Sequence, residues 1–292
     1  RCGVEFSLVC CWCDTVMAPL LSTIRNRAPQ SVLALNRVDL HFLRQMRRAI
    51  FEKDPQLESD VHGIREDELD VIKQVDLALT YSELEEAMLT GLVGSTPRIA
   101  RLPWVQKPQP DRPPLKGREG LCFLGSHNHP PNLEAVESYA EQVAPKLDPA
   151  NPSNLLHVYG SGWPTQKEKP FKGVEIEGFA ESLSETFARH RIFIAPLRTG
   201  AGVKGKVLPA TASGLPCILS PIAAEGLAVT DEVQCLAADT PEMWVDAFKR
   251  LHVAADPRLA LRDIALAHLA HHHPPALPVP LHNTRPELRH TF

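Results

Sequence analysis

No stretch of this 292-residue chain is apolar for the roughly 18 to 20 residues that a helix needs to cross a bilayer. A membrane span is therefore not expected, and association with a membrane surface, though open, is not indicated. An excess of one charge is lacking too. The 31 Lys and Arg residues are mixed with 35 Asp and Glu, for a formal net charge of −4, so the chain has no basic field to attract nucleic acid. A disulfide framework is also missing. The seven cysteines, Cys2, Cys10, Cys11, Cys13, Cys122, Cys217 and Cys235, are odd in number, and the last three lie in apolar runs that read as strands. Reduced thiols and a cytoplasmic location are expected from that pattern. The Cys10-Cys11-Trp12-Cys13 cluster has no second pair of ligands at finger-like spacing, which speaks against a zinc finger. Nor does the chain carry a Gly-Lys-Ser/Thr phosphate loop, or a dinucleotide fingerprint after its first strand. Arg1 stands where an initiator Met would, so the expectation is a chain that starts inside a longer reading frame, with an upstream signal or anchor left open.

What is present is an α/β alternation in two halves. The apolar fraction of 43% suits globular domains, and two of them are expected. Proline and charge crowd residues 105–120, VQKPQPDRPPLKGREG, which can hold neither a helix nor a central strand. This marks a linker between an N-terminal domain, 1–104, and a second domain, 121–272, with 273–292 as a proline-rich tail in which three consecutive histidines offer only adventitious metal binding. In the first half, residues 31–36 read as a buried strand, 39–54 and 66–75 as helices, 77–81 as a strand, and 98–103 as another. Ser82 with Glu85 has the form of a capping box opening a further helix. No strand with a glycine-rich turn is legible in residues 1–30, so this domain reads as incomplete.

In the second half short apolar runs at 121–125, 155–159, 174–179, 192–197 and 216–219 alternate with helical stretches, among them one from Pro131 and two at 241–253 and 258–271. Such alternation implies right-handed crossovers and a parallel Rossmann-like sheet covered on both faces. Ligands of such sheets bind beyond the carboxyl ends of the strands. There the loop after Leu197, RTGAGVKGK, carries Gly200, Gly202 and Gly205 for close backbone approach, and Lys204 and Lys206 for charge at the start of a helix. Two readings stand on these residues alone: an anion site suited to a diphosphate, or a tight strand-to-helix turn with solvated lysines.

GSHNHPPNLEAV (125–136), VYGSGWP (158–164), VEIEGF (174–179), IAPLRTGAGVKGKVLPATASGLPCI (194–218) and AAEGL (223–227), in that order, resemble the donor-binding domain of GT-B glycosyltransferases of family 4, the group 1 type. Upstream, NRVDLHFLRQMRRA (36–49) and ELDVIKQVDLALTYSELE (68–85) are similar to the late part of that family's acceptor domain. The resemblance implies a GT-B type fold, with a Rossmann-like donor domain and an incomplete Rossmann-like N-terminal domain. It implies a hexosyltransferase acting, with retention, on a nucleotide-diphosphate sugar and an unidentified acceptor, with no cofactor and no metal. Gly125, Gly200, Ala201, Gly202, Val203 and Lys204 would then surround the donor, with backbone amides of 201–204 on its sugar and phosphates. Lys206 would neutralise the diphosphate, Gly178 and Phe179 would flank the base, and Glu225 would reach the ribose or sugar, or else serve as a helix cap. His41 would sit near the transferred sugar, with Asp39 as N-cap or as the group that fixes the imidazole. Arg44, Arg47 and Arg48 read as an exposed basic helix face.

The chain departs from the family pattern at two positions. Where many relatives carry two glutamates eight residues apart it has Ala201 and Pro209, and a proline inside a helix costs about 3 kcal/mol, so the helix there is expected to start late or to kink. A catalytically silent nucleotide-binding relative is therefore the competing reading. A nucleotide-sugar epimerase of the same architecture would need further acid and base residues that the sequence does not show.

Overall fold

In a computed structural model, the described residues are 6–102, 104, 106, 117–148, 150–164 and 171–253. The helix expected at 258–271, the tail and most of the linker lie outside them. The described residues divide into two compact units, 6–104 with 200–203, and 117–199 with 204–253.

The first unit is built on a parallel sheet of β1 (Leu8–Trp12), β2 (Val32–Asn36), β3 (Leu77–Thr80) and β4 (Arg98–Arg101), in that spatial order. The helices are α1 (Asp14–Met17), α2 (Leu21–Arg27), α3 (His41–Glu52), α4 (Pro55–Lys73) and α5 (Glu83–Val93). β1 lies within residues 1–30, where no strand with a glycine-rich turn was legible, and the turn that follows it at Cys13 is indeed not glycine-rich. It pairs with β2 from Leu8 against Val32 to Trp12 against Asn36. As an edge strand it turns only Val9 and Cys11 toward the core, while Leu8, Cys10 and Trp12 are exposed. One face of it is solvated, although its sequence, LVCCW, is apolar throughout. Because Cys10 and Cys11 project to opposite faces of that strand, the cysteine cluster cannot close on one ion. α4 also begins earlier than its apolar spacing suggests. Asp54 accepts from the amides of Gln56 and Leu57, and Pro55 occupies the first helical position, where its missing N–H is no loss.

The turn after β1 takes an unusual form. Cys13 has φ 64° and ψ 148°, a conformation that glycine adopts readily and residues with a Cβ do not. The glycine that would have announced a strand-to-helix turn is replaced by cysteine, and the turn forms nonetheless because Cys13 N donates to Asn36 O at 3.0 Å.

The second unit has an all-parallel six-stranded sheet ordered β10-β9-β8-β5-β6-β7. Its strands are β5 (Leu121–Leu124), β6 (Leu156–Tyr159), β7 (Val174–Gly178), β8 (Ile192–Ala195), β9 (Cys217–Leu219) and β10 (Leu236–Ala237). α6 (Pro130–Ser138), α7 (Leu183–Arg189), α8 (Val207–Ala212), α9 (Pro221–Ala224) and α10 (Pro241–Val253) complete it. The central strands β5, β8 and β9 are buried almost throughout, whereas β7 alternates as an edge strand should. Chain order reverses between β5 and β8, and this switch point opens a crevice beyond their carboxyl ends. Pro209 lies in the first turn of α8, which starts only at Val207. An amide there has no partner within the helix in any case, so the penalty of an interior proline does not arise.

Replacing Cys13 by glycine is expected to stabilise the first unit by about 1 kcal/mol, relief of backbone strain of about 1–3 kcal/mol outweighing the added chain entropy of glycine, about 0.5–1 kcal/mol. Denaturant unfolding of the variant would show this as a higher midpoint at unchanged slope.

Candidate functional site

At the switch point of the second unit, the loop after β5 and the loop after β8 meet. Asn132, on α6, donates from Nδ2 to Ser126 O at 2.8 Å, which turns its carbonyl oxygen toward the amine of Lys206, from which it accepts. Lys206 Nζ also lies 4.5 Å from the centroid of the Phe123 ring on β5. Burial and then the neighbouring Lys204 charge push the Lys206 pKa down to about 7. Lys204 is itself buried. Lys206, partly buried and bonded to no carboxylate among the described residues, is an amine whose charge an anion would offset. α8 has only six residues, so the lysines rather than a helix dipole supply the charge.

Gly125 is needed for this arrangement, since a Cβ there would sit 2.5 Å from Asn132 Cγ. Its carbonyl accepts from Trp163 Nε1 at 2.7 Å, and Gly160 packs so closely that a Cβ would lie 2.0 Å from that same oxygen. Thr199 is fully buried and donates to Glu134 Oε2 on α6, anchoring the start of the lysine loop. Gly178 and Phe179 end β7, the edge strand two places from β5, and Phe179 is 76% exposed, a free ring surface. Glu225 follows α9 as its C-cap residue. Asn132, Glu134 and Thr199 were inside the recognised motifs, yet sequence alone gave no reason to assign them a part. Their roles arise from contacts 65 and 74 positions apart.

Residues 200–203 belong with the first unit. Gly200 O accepts from Arg47 Nη1 at 2.7 Å, and Gly202 N donates to Glu85 Oε1 at 3.0 Å. With φ 67°, Gly202 lies where a Cβ would be 2.4 Å from Val38 O. Thus the close approach for which this glycine is required is to Val38, and its amide is engaged by a carboxylate. Arg44 bonds Asp39 and Arg48 bonds Glu52, so the three arginines of α3 are partnered and do not form a bare basic face.

His41 opens α3, and its surroundings replace the expected capping scheme. The N-cap residue is Leu40, and Asp39 makes no capping bond. Instead Glu68, on α4, accepts from His41 N and Phe42 N at 2.9 Å each, while Glu85 accepts from Leu40 N at 3.0 Å. Glu85, expected to reach back to Ser82, is therefore diverted, and only the Ser82 half of that box forms. Burial pushes the Glu85 carboxyl up, with bonds to Leu40, Thr80 and Gly202 opposing it and the Asp39 charge adding to it. Glu68 also pairs with Arg37, which is 2% exposed. Asp14, His41 and Glu68 present ligand atoms within 4.8 Å of one another, as do His157, Glu175 and Glu177. Glu68 is already committed to a guanidinium and two amides, and His157 Nδ1 is bonded to Glu177 at 2.6 Å.

Residues 118–253, which lie in the second unit, match the model of the family described as Glycosyl transferases group 1. The chain is similar in structure to S. aureus TarM, at TM-score 0.66 and 10% identity, covering 91% of this chain and 52% of TarM. It is similar to sucrose-phosphate synthase from Thermosynechococcus elongatus, at TM-score 0.69 and 15% identity, covering 91% and 69%. It is also similar to Anabaena HepE, solved in complex with UDP and glucose, at TM-score 0.68 and 8% identity, covering 91% and 73%. The fold is the Rossmann-like α/β GT-B type. The chain spans about half the length of TarM. No curated protein sequence gives a match.

Glu68→Gln is expected to lower stability by about 3 kcal/mol, because it leaves the buried Arg37 charge without its nearest counterion. Glu66→Gln, on the exposed side of the same helix, should change stability by less than about 0.5 kcal/mol; denaturant unfolding of the two variants side by side measures the difference.

Proposed function

We propose that the chain transfers a hexose, with retention, from a nucleotide-diphosphate sugar to an acceptor. The observation that carries this reading is the placement of Lys206 at the β5/β8 switch point, beside Lys204 and bonded to Asn132 rather than to a carboxylate. As the glycosidic bond of a sugar nucleotide breaks, negative charge grows on the departing diphosphate. An amine already fixed there, which a bound diphosphate favours in its ammonium form, stabilises that charge, and no metal is called on. Ala201 and Val203 add backbone in the same loop, Gly125 keeps Asn132 in place, and Gly178 with the exposed Phe179 ring offers a surface for the base. Glu225 serves the ribose or the sugar. His41 is assigned to the transferred sugar by the resemblance to family 4 alone, with Asp39 beside it. Nucleotide binding without turnover is the second reading, favoured by Pro209 at a position where many relatives of the resembled family hold a glutamate.

Because HepE was solved with UDP and glucose, UDP-glucose is the first donor to test. Hydrolysis of UDP-glucose and calorimetric binding of UDP are expected, both reduced at least tenfold in Lys206→Ala with folding intact. Binding without hydrolysis for any donor would establish the silent reading, and absence of binding to all nucleoside diphosphates would defeat both.

A pH signature follows from the same lysine. Burial and the Lys204 charge lower its pKa to about 7, so at pH 8 it is mostly neutral, and a bound diphosphate favours the ammonium form. UDP binding at pH 8 is therefore expected to take up close to one proton. Between pH 8 and 9 affinity should weaken by up to about tenfold, the limit for one linked proton. Calorimetry in two buffers of different ionisation enthalpy reads the uptake, which Lys206→Met should abolish.

A further inference from the structure

Two carboxylates of the first unit flank the His41 ring, and they are not equivalent. Asp39 Oδ1 lies 3.8 Å from Nε2, but the other oxygen of that carboxylate is bonded to Arg44 Nη1 at 2.6 Å. Asp14 Oδ1 lies 3.3 Å from His41 Nδ1 and 3.7 Å from Arg37 Nη1. It is buried, and although at hydrogen-bond distance from the imidazole it has no completed hydrogen bond. The remaining acceptor near the ring, Glu68, is spent on Arg37 and on the amides of His41 and Phe42. Asp14 is therefore the carboxylate available to the imidazole. Burial opposes its charge, yet His41 and Arg37 hold its carboxyl below the usual range.

The backbone gives an independent sign. Asp14 directly follows Cys13, which holds a backbone conformation suited to glycine, at φ 64° and ψ 148°. Strain of this kind persists where the surrounding structure imposes it, and here its consequence is to deliver Asp14 from the end of β1 to the start of α3.

We propose that Asp14 is the positioning residue for His41: its carboxylate accepts a hydrogen bond from Nδ1–H and so fixes the neutral ring as the Nδ1–H tautomer, leaving Nε2 unprotonated. Asp39, whose charge Arg44 already offsets, then borders Nε2 without competing for the ring. A second-residue carboxylate that sets the tautomer determines which nitrogen is offered to a ligand. This rests on the reading of His41 as the residue at the transferred sugar.

The test is nitrogen-15 NMR of histidine-labelled full chain, with His41 assigned by loss of its signals in His41→Gln. Two- and three-bond nitrogen–proton couplings report which ring nitrogen carries the proton in the neutral form. The unaltered protein is expected to show Nδ1–H, and Asp14→Leu to shift the ring toward Nε2–H. A predominantly Nε2–H ring in the unaltered protein overturns the proposal, and that measurement needs no Asp14 variant to fold. In the isosteric Asp14→Asn, kcat for UDP-glucose hydrolysis should fall at least tenfold with KM altered less than twofold, and the substitution should have no further effect in a His41→Gln background. An equal fall in that background would show that Asp14 acts independently of His41 and would also overturn the proposal. Should no sugar nucleotide be hydrolysed, the functional reading fails by itself, while the tautomer still decides the Asp14–His41 pairing.

Discussion

Burying a guanidinium is tolerable only when its charge is met inside the protein, and much of the first unit is organised around that requirement at Arg37. The residue follows β2 directly, and the burial of that strand carries it inward to 2% exposure. Glu68 compensates it from α4, and the same carboxylate accepts the first amides of α3. One group thereby neutralises a charge and caps a helix, which fixes where His41 begins that helix. Asp14, brought in by the strained turn after β1, completes the ring of charge around Arg37 and the imidazole. The cost of unpaired burial, several kcal/mol per ion, ties three segments, at Asp14, at Arg37 to Phe42 and at Glu68, to one geometry.

In the second unit the constraint is reversed, since a positive charge is held partly out of water without a bonded carboxylate. Lys206 rests against Phe123 and Asn132, and burial together with Lys204 lowers its affinity for a proton. A structural role alone would more readily be filled by a neutral side chain. Retaining an amine that is costly to charge is reasonable at a place where an anionic ligand supplies the missing compensation, and the switch point of a doubly wound sheet is such a place.

The alternation of strands and helices in the second half was legible because its central strands are continuous apolar runs and its turns are marked by glycine and proline. The first half was only partly legible. β1 escaped notice because Cys13 occupies the turn where a glycine would signal it. The early start of α4 was written in Asp54 and Pro55, but the polar sequence between Glu58 and Glu66 hid the helical period. At the site, the lysines and glycines were visible as a motif. What each touches was not: Gly202 was read for a ligand and instead meets Val38 and Glu85, and Asp39 was read as a cap that Glu68 provides.

By itself the sequence determined the α/β class and the gathering of glycine and lysine in the loop after β8, because local periodicity and turn chemistry act over a few residues. Only the tertiary structure decided that Lys206 would lose its proton easily, that Glu68 would hold both Arg37 and α3, and that Asp14 would stand beside His41. Those properties depend on desolvation and on contacts between segments tens of residues apart, and neither is a function of neighbouring sequence.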